Sequence, residues 1–233
     1  MGDQVTVVLA HGAWADGSSW SKVISVLAQN GLKAVTVPLP LTTLSDDVAA
    51  LDRTLERVQG PVLLAGHAYA GAVIGATRSD KVKALVYVAA LAPAQGQTVA
   101  DVFYMNAPHR QAPILAPDRH GLIWLPEQAF AAAFAPNAAP EEQAVLAAIQ
   151  RPISSACISV PVARPLWLDV PTRYLLAEQD HMIVPQTQRF MADRMKAQIT
   201  THPVDHIPSV TAPAVVVNLL IEAVNDINLR RNA

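Results

Sequence analysis

The chain has 233 residues, of which 52% are hydrophobic and 15% charged, with a formal net charge of −2. That length suits one α/β domain with a substantial core, and the composition excludes disorder and any strong attraction to nucleic acid or an anionic membrane. A single cysteine, Cys157, excludes an internal disulfide and argues against a cysteine-built metal centre.

Val5 to Leu9 is a short apolar run and predicts a buried strand. Ser18 or Ser19 then offers a cap for a helix over Trp20 to Gln29, stopped by Gly31. Lys33 to Val37 predicts a second strand, closed by Pro38 and Pro40. Ser45 reads as an N-cap, with Asp46 and Asp47 suited to the positive end of a helix that runs to about Val58. Val62 to Ala65 is a third strand, a helix ending near Arg78 follows it, and Val82 to Val88 is a fourth strand.

Regular alternation stops between Pro93 and Pro171, where prolines separate helical patterns such as Glu127 to Phe134 and Glu141 to Gln150. It resumes with a strand over Thr172 to Ala177, a helix from about Gln186 to Lys196, a strand over Ile199 to Val204 and a helix from about Ala214 to Leu229. Six strands alternating with helices imply one mainly parallel sheet covered on both faces. The expected organisation is an α/β core over residues 1–92 and 172–233, with 93–171 inserted after the fourth strand as a helical lid or cap. Such an insertion sits over the carboxyl ends of the strands, where open α/β sheets bind ligands. Phe103, Tyr104, Met105, Ile123, Trp124 and Trp167 are its candidates for an apolar pocket wall, each equally able to serve as the lid's own core.

The stretch Gly66-His67-Ala68-Tyr69-Ala70-Gly71 joins the third strand to its helix. Strand, small-residue turn and helix are the context of the nucleophile elbow G-x-S-x-G, with Ala68 where the nucleophile should stand. A methyl group attacks no carbonyl, yet the other parts of a serine hydrolase are in chain order. Asp180 follows the fifth strand and suits the acid; His206 follows the sixth and suits the base. His202 and Asp205 are weaker candidates for those roles, and His181 reads as a turn residue. The oxyanion donors expected are the backbone amides of Tyr69 and of Ala13, in His11-Gly12-Ala13-Trp14 after the first strand. Trp14 is expected near the pocket mouth and Tyr69 in its wall. No nucleotide-binding or metal-binding motif is present, so no cofactor is expected.

Val8 to Trp20, Gly66 to Gly71, Gln150 to Ile153, Glu178 to Asp180, Gln188 to Met191 and Asp205 to Pro208 together resemble small bacterial α/β-hydrolases of the esterase type, related to the plant hydroxynitrile lyase and methyl-ester esterase group. The resemblance covers almost the whole chain. It implies a cofactor-free ester hydrolase with a helical cap, acid and base roles for Asp180 and His206, oxyanion roles for the Ala13 and Tyr69 amides, and Ser where this chain has Ala68. The favoured expectation is therefore a serine esterase whose nucleophile has been exchanged for Ala, an engineered inactive form. Two alternatives stay open: a His206–Asp180 dyad enzyme, lyase or oxygenase, and a non-catalytic ligand-binding homologue. A cyanide lyase fits poorly, because the resembling lyases carry a hydroxyl where Gly12 stands and a Lys where Ile207 stands. The expected partner is a small apolar or aromatic ester or lactone. Arg110, Arg119 and Arg164 give no clear anion clamp. No apolar run reaches the roughly 18–20 residues that span a bilayer. Met1-Gly2-Asp3-Gln4 shows no leader, so a cytoplasmic location is expected.

Overall fold

Residues 4–232 are described by a computed structural model; the leaderless start expected at Met1-Gly2-Asp3 lies outside the described residues. In chain order, β1 is Thr6–Ala10, α1 Ser21–Gln29, β2 Lys33–Val37, α2 Leu44–Glu56, β3 Val62–His67, α3 Ala70–Ala76 and β4 Val82–Val88. After an intervening segment come β7 Thr172–Ala177, α7 Pro185–Arg194, β8 Gln198–His202, α8 Pro208–Thr211 and α9 Pro213–Asn232. The six strands form one sheet in the order β2-β1-β3-β4-β7-β8, with every neighbouring pair parallel.

Side chains alternate across a strand, and the two faces of this sheet bury separate cores. Val8, Leu64 and Leu85 face α2, α3 and the intervening segment, where Leu51, Leu55 and Val73 meet them. Val7, Leu9, Leu63 and Val86 face α1 and α9, where Trp20, Leu27 and Leu220 meet them. Central strands covered on both sides need apolar residues at every position, and β1 and β3 are buried throughout.

The helix starts differ in detail from the expected ones. Asp16, not Ser18 or Ser19, caps the first helical turn: its carboxylate accepts from Ser18 N, and a short 3₁₀ turn over Gly17–Trp20 precedes α1. Thr43, not Ser45, caps α2, because Thr43 is extended and its hydroxyl accepts from Asp46 N. The last strand ends at His202, two residues earlier than expected, where His202 O and Val204 O turn to accept from Glu178 N and Gln179 N.

The segment between β4 and β7 holds α4 Val99–Phe103, the strand pair β5 Leu122–Ile123 and β6 Ile153–Ser154, α5 Glu127–Ala129 running into a π-turn over Phe130–Phe134, and α6 Pro140–Ile149. This segment carries short helices separated by irregular chain, with a small antiparallel ladder the sequence pattern did not announce. It is tied to the loop after β1 by Trp14, whose backbone N–H donates to Arg151 O at 3.0 Å and whose ring Nε1–H donates to Ile123 O at 2.9 Å. No helix among the described residues is long and apolar enough to cross a membrane.

Candidate active site

The turn after β3 is the most constrained backbone in the site. Ala68 has φ +50°, a left-handed conformation that costs a non-glycine residue roughly 1–2 kcal/mol. The neighbouring chain holds it there. Ala68 N–H donates to Val88 O at 3.3 Å, and Ala68 O accepts from Leu91 N at 2.9 Å and Gly71 N at 3.1 Å. The approach is close enough that small residues are obligatory. A Cβ on Gly71 would stand 2.3 Å from Leu91 O, and one on Gly12 would stand 2.9 Å from the Ala68 Cβ. The loop after β1 is therefore pressed directly against the Ala68 side chain.

Asp180 and His206 come together below this turn. His206 Nδ1 lies 2.9 Å from Asp180 Oδ2, and both side chains are buried. The carboxylate is otherwise saturated: Oδ1 accepts from Met182 N and Ile183 N, and Oδ2 also accepts from Gln188 Nε2. Such a carboxylate orients the imidazole with Nδ1–H toward itself and leaves Nε2 for the cavity that His206 lines. The backbone of His206 is fixed as well, since its carbonyl accepts from His67 Nε2 at 2.7 Å.

His67 is fully buried, and burial together with nearby His206 pushes its pKa down to about 3, so it is a neutral donor. His11 is its counterpart after β1: Nδ1 donates to Gly12 O at 3.0 Å, and burial lowers its pKa too.

Ala13 and Tyr69 both line the same cavity, and neither backbone N–H donates to another described residue. Tyr69 is held from behind. Its hydroxyl donates to Asp47 Oδ2 at 2.7 Å, while Leu41 N donates to Asp47 Oδ1 at 2.7 Å and the Cys157 thiol lies 3.7 Å from Oδ2. Asp47 is fully buried, and burial raises its pKa; burial also pushes the Cys157 thiol up to about 12. The sequence pattern suits Asp47 to the positive end of α2, and the structure buries it there. The missed signal was its register: Leu44, Asp47, Leu51 and Leu55 fall on one helical face, so Asp47 is the polar member of an apolar stripe.

The cavity above Ala68 measures about 560 Å³ with its mouth, and its walls are almost wholly apolar. Trp14, Phe103, Tyr104 and Ile123 line it, as the sequence suggested, together with Ile153, Ile158 and Met182. Three expected wall residues stand elsewhere. Trp124 is 48% exposed, with its Nε1–H directed to Asp118 Oδ2. Trp167 is buried on the far side of α3, beside Gly71 and Gly75 in a separate small pocket. Met105 is not among the wall residues either and is partly exposed. Of the weaker candidates, Asp205 accepts from Asn137 N, Ile207 N and Thr211 Oγ1, while His202 lies in β8. His181 stacks on His109 of the cap with ring centroids 3.9 Å apart. Among the described residues no group of three His, Cys, Asp or Glu side chains is placed to share a metal ion.

The sequence matches the family model described as "Alpha/beta hydrolase family" over residues 7–219. No curated protein sequence matches it. Solved structures share the fold at low identity. Polyneuridine aldehyde esterase superposes with a TM-score of 0.82 at 18% identity, covering 95% of this chain and 99% of its own. A pyrethroid hydrolase from Sphingobium faniae JZ-2 gives 0.79 at 20%, covering 95% and 98%. A variant of tomato methylketone synthase I, complexed with beta-ketoheptanoate, gives 0.82 at 16%, covering 97% and 99%.

Proposed function

The chain belongs to the alpha/beta hydrolase family, and from that premise we propose that its site is that of a serine-type carboxylic ester hydrolase in which Ala68 stands for the nucleophilic serine. The observation that carries the reading is the strained turn. Ala68 keeps φ +50° at the end of β3, the geometry that thrusts a nucleophile's side chain into a cavity, although an alanine has no use for it. The esterase and the pyrethroid hydrolase among the similar structures support the same class.

With a hydroxyl restored at position 68, acyl transfer proceeds in two steps. The serine oxygen attacks the ester carbonyl while His206 Nε2 takes its proton, and Asp180 holds the imidazolium that forms. The carbonyl oxygen, now an oxyanion, is met by the N–H groups of Ala13 and Tyr69. His206 then returns the proton to the leaving alcohol, which departs as the acyl-enzyme forms. A water, deprotonated by His206, attacks the acyl-enzyme and releases the acid. The cap excludes bulk water, and its apolar lining with no charged clamp favours a neutral small-molecule ester. As it stands, the chain binds such an ester and turns it over slowly or not at all.

The test is Ala68→Ser. The expected result is hydrolysis of short p-nitrophenyl esters well above that of the Ala68 chain, abolished by adding His206→Ala. A folded A68S protein inactive on every ester tried would overturn the reading.

One observation favours a second reading. The His206–Asp180 pair is complete without a hydroxyl beside it, and a proton-transfer enzyme needs no more. The similarity to a synthase structure holding a β-keto acid points to decarboxylation as the reaction class to test. Turnover of β-keto acids by the Ala68 chain, lost in His206→Ala, would establish it.

A further inference from the structure

The cavity above Ala68 has a second space beside it. Phe103, Tyr104, Leu115 and Met182 line it and also line a second, outer cleft of about 750 Å³. The outer cleft is walled by the loop that follows α4, and its other residues include Ala112, Pro113 and Ile114. Large apolar side chains stand exposed on this cleft: Tyr104 is 56% and Ile114 94% exposed. An exposed apolar rim beside a cleft suits an apolar ligand. Asn106 is already committed, its Nδ2–H donating to Thr187 Oγ1 at 2.9 Å, which ties the cleft's floor to α7. No Asp, Glu, Lys or Arg lines either space.

We propose that the outer cleft is a second substrate subsite, occupied by the distal arm of an elongated, uncharged ester whose carbonyl lies at Ala68. The proposal rests on the ester-site reading above and sharpens its substrate class from a compact ester to a two-armed one. The adjacency of the two spaces, with four side chains common to both walls, selects the occupant: a molecule anchored at Ala68 and too long for the inner cavity has the neighbouring cleft beside it. Each methylene moved from water into the apolar cleft should tighten binding about fourfold when fully buried.

The Ala68 chain itself supplies the assay, because it binds without consuming its ligand. Alkyl nicotinates from methyl to hexyl, neutral and soluble, are titrated calorimetrically. The unaltered chain is expected to bind the hexyl ester at least about thirtyfold tighter than the methyl ester, allowing for partial burial. Ala112→Trp, which fills the outer cleft, is expected to reduce that ratio at least tenfold. Ile114→Ser, a change at a fully exposed site that spares the fold, is expected to reduce it by a smaller factor. A ratio near one in the unaltered chain, or one that both variants leave intact, overturns the proposal. The two readings fail separately. An A68S protein that cuts no ester overturns the reaction and leaves the cleft standing; equal affinity for all chain lengths overturns the cleft and leaves the reaction standing.

Discussion

Asp47 carries a lesson at the scale of single residues. A carboxylate with no exposure, bonded to a tyrosine hydroxyl and a backbone amide, is expensive to bury and persists only where its bonds are complete. Its bond to Tyr69 reaches the residue whose amide is proposed to face the oxyanion. Tyr69→Phe removes that donor and leaves Asp47 Oδ2 with the thiol of Cys157 alone. The expected result is a loss of about 2 kcal/mol in chemical denaturation. An unchanged midpoint would show that Asp47 does not depend on the Tyr69 hydroxyl. The residues a motif names were legible in the sequence: Gly12, Ala68, Asp180 and His206 stand where the elbow and chain order require them. Asp47 and His67 were harder to read: only the register of Asp47 with Leu44, Leu51 and Leu55 separates it from a helix-end aspartate facing solvent, and nothing local marks His67.

At the scale of elements, strands were read more accurately than helix starts. β2, β4 and β7 have the expected limits because apolar and β-branched runs bounded by Gly, Pro or charged residues report directly on burial. Caps depend on which of several adjacent Ser, Thr and Asp residues adopts an extended backbone. The sequence pattern points to Ser45, and the fold uses Thr43. The cap was the hardest to read. Trp124 and Trp167 are no different in composition from Phe103 and Tyr104, and only the chain's path sends them to the surface and behind α3. Trp14 joins cap and core through both its backbone and its indole, with Phe134 of the π-turn edge-on to its ring at 6.4 Å. Trp14→Phe keeps the ring contact and deletes the bond to Ile123 O. It is expected to loosen the strand pair Leu122–Ile123 and Ile153–Ser154, seen as hydrogen exchange of its amides accelerated about tenfold while those of β3 are unchanged. Unchanged exchange in the cap would show that the indole N–H contributes nothing to holding it.

For the whole molecule, the alternation of strand and helix was sufficient to foresee a parallel six-stranded sheet, because few topologies accept that pattern. The order β2-β1-β3-β4-β7-β8 explains why residues 13, 68, 180 and 206 converge: each follows the carboxyl end of a strand on one edge of one sheet. The same packing makes the molecule acid-sensitive in a defined way. His67 is buried neutral beneath the site with its pKa near 3, against an ordinary value of 6.5. A histidine with a lowered folded-state value contributes fully above pH 6.5, and that contribution falls by about 1.4 kcal/mol per pH unit as the pH drops toward 3. Asp47 and Asp205, raised by burial, act in the opposite direction as they protonate. Comparison with a variant therefore isolates the histidine. Between pH 6 and 4 the unaltered chain is expected to lose stability relative to His67→Gln at about that slope. Parallel stability curves would contradict it.

On the proposed reading the site lacks one atom, the hydroxyl oxygen on residue 68, and holds the groups needed to activate it. Intact-mass analysis after exposure to a fluorophosphonate tests this most directly, since only an activated serine attacks phosphorus and displaces fluoride. No adduct is expected on the Ala68 chain, one stoichiometric adduct is expected on A68S at position 68, and its loss is expected when His206→Ala is added. A folded A68S protein that stays unlabelled, or one labelled equally fast without His206, would contradict it.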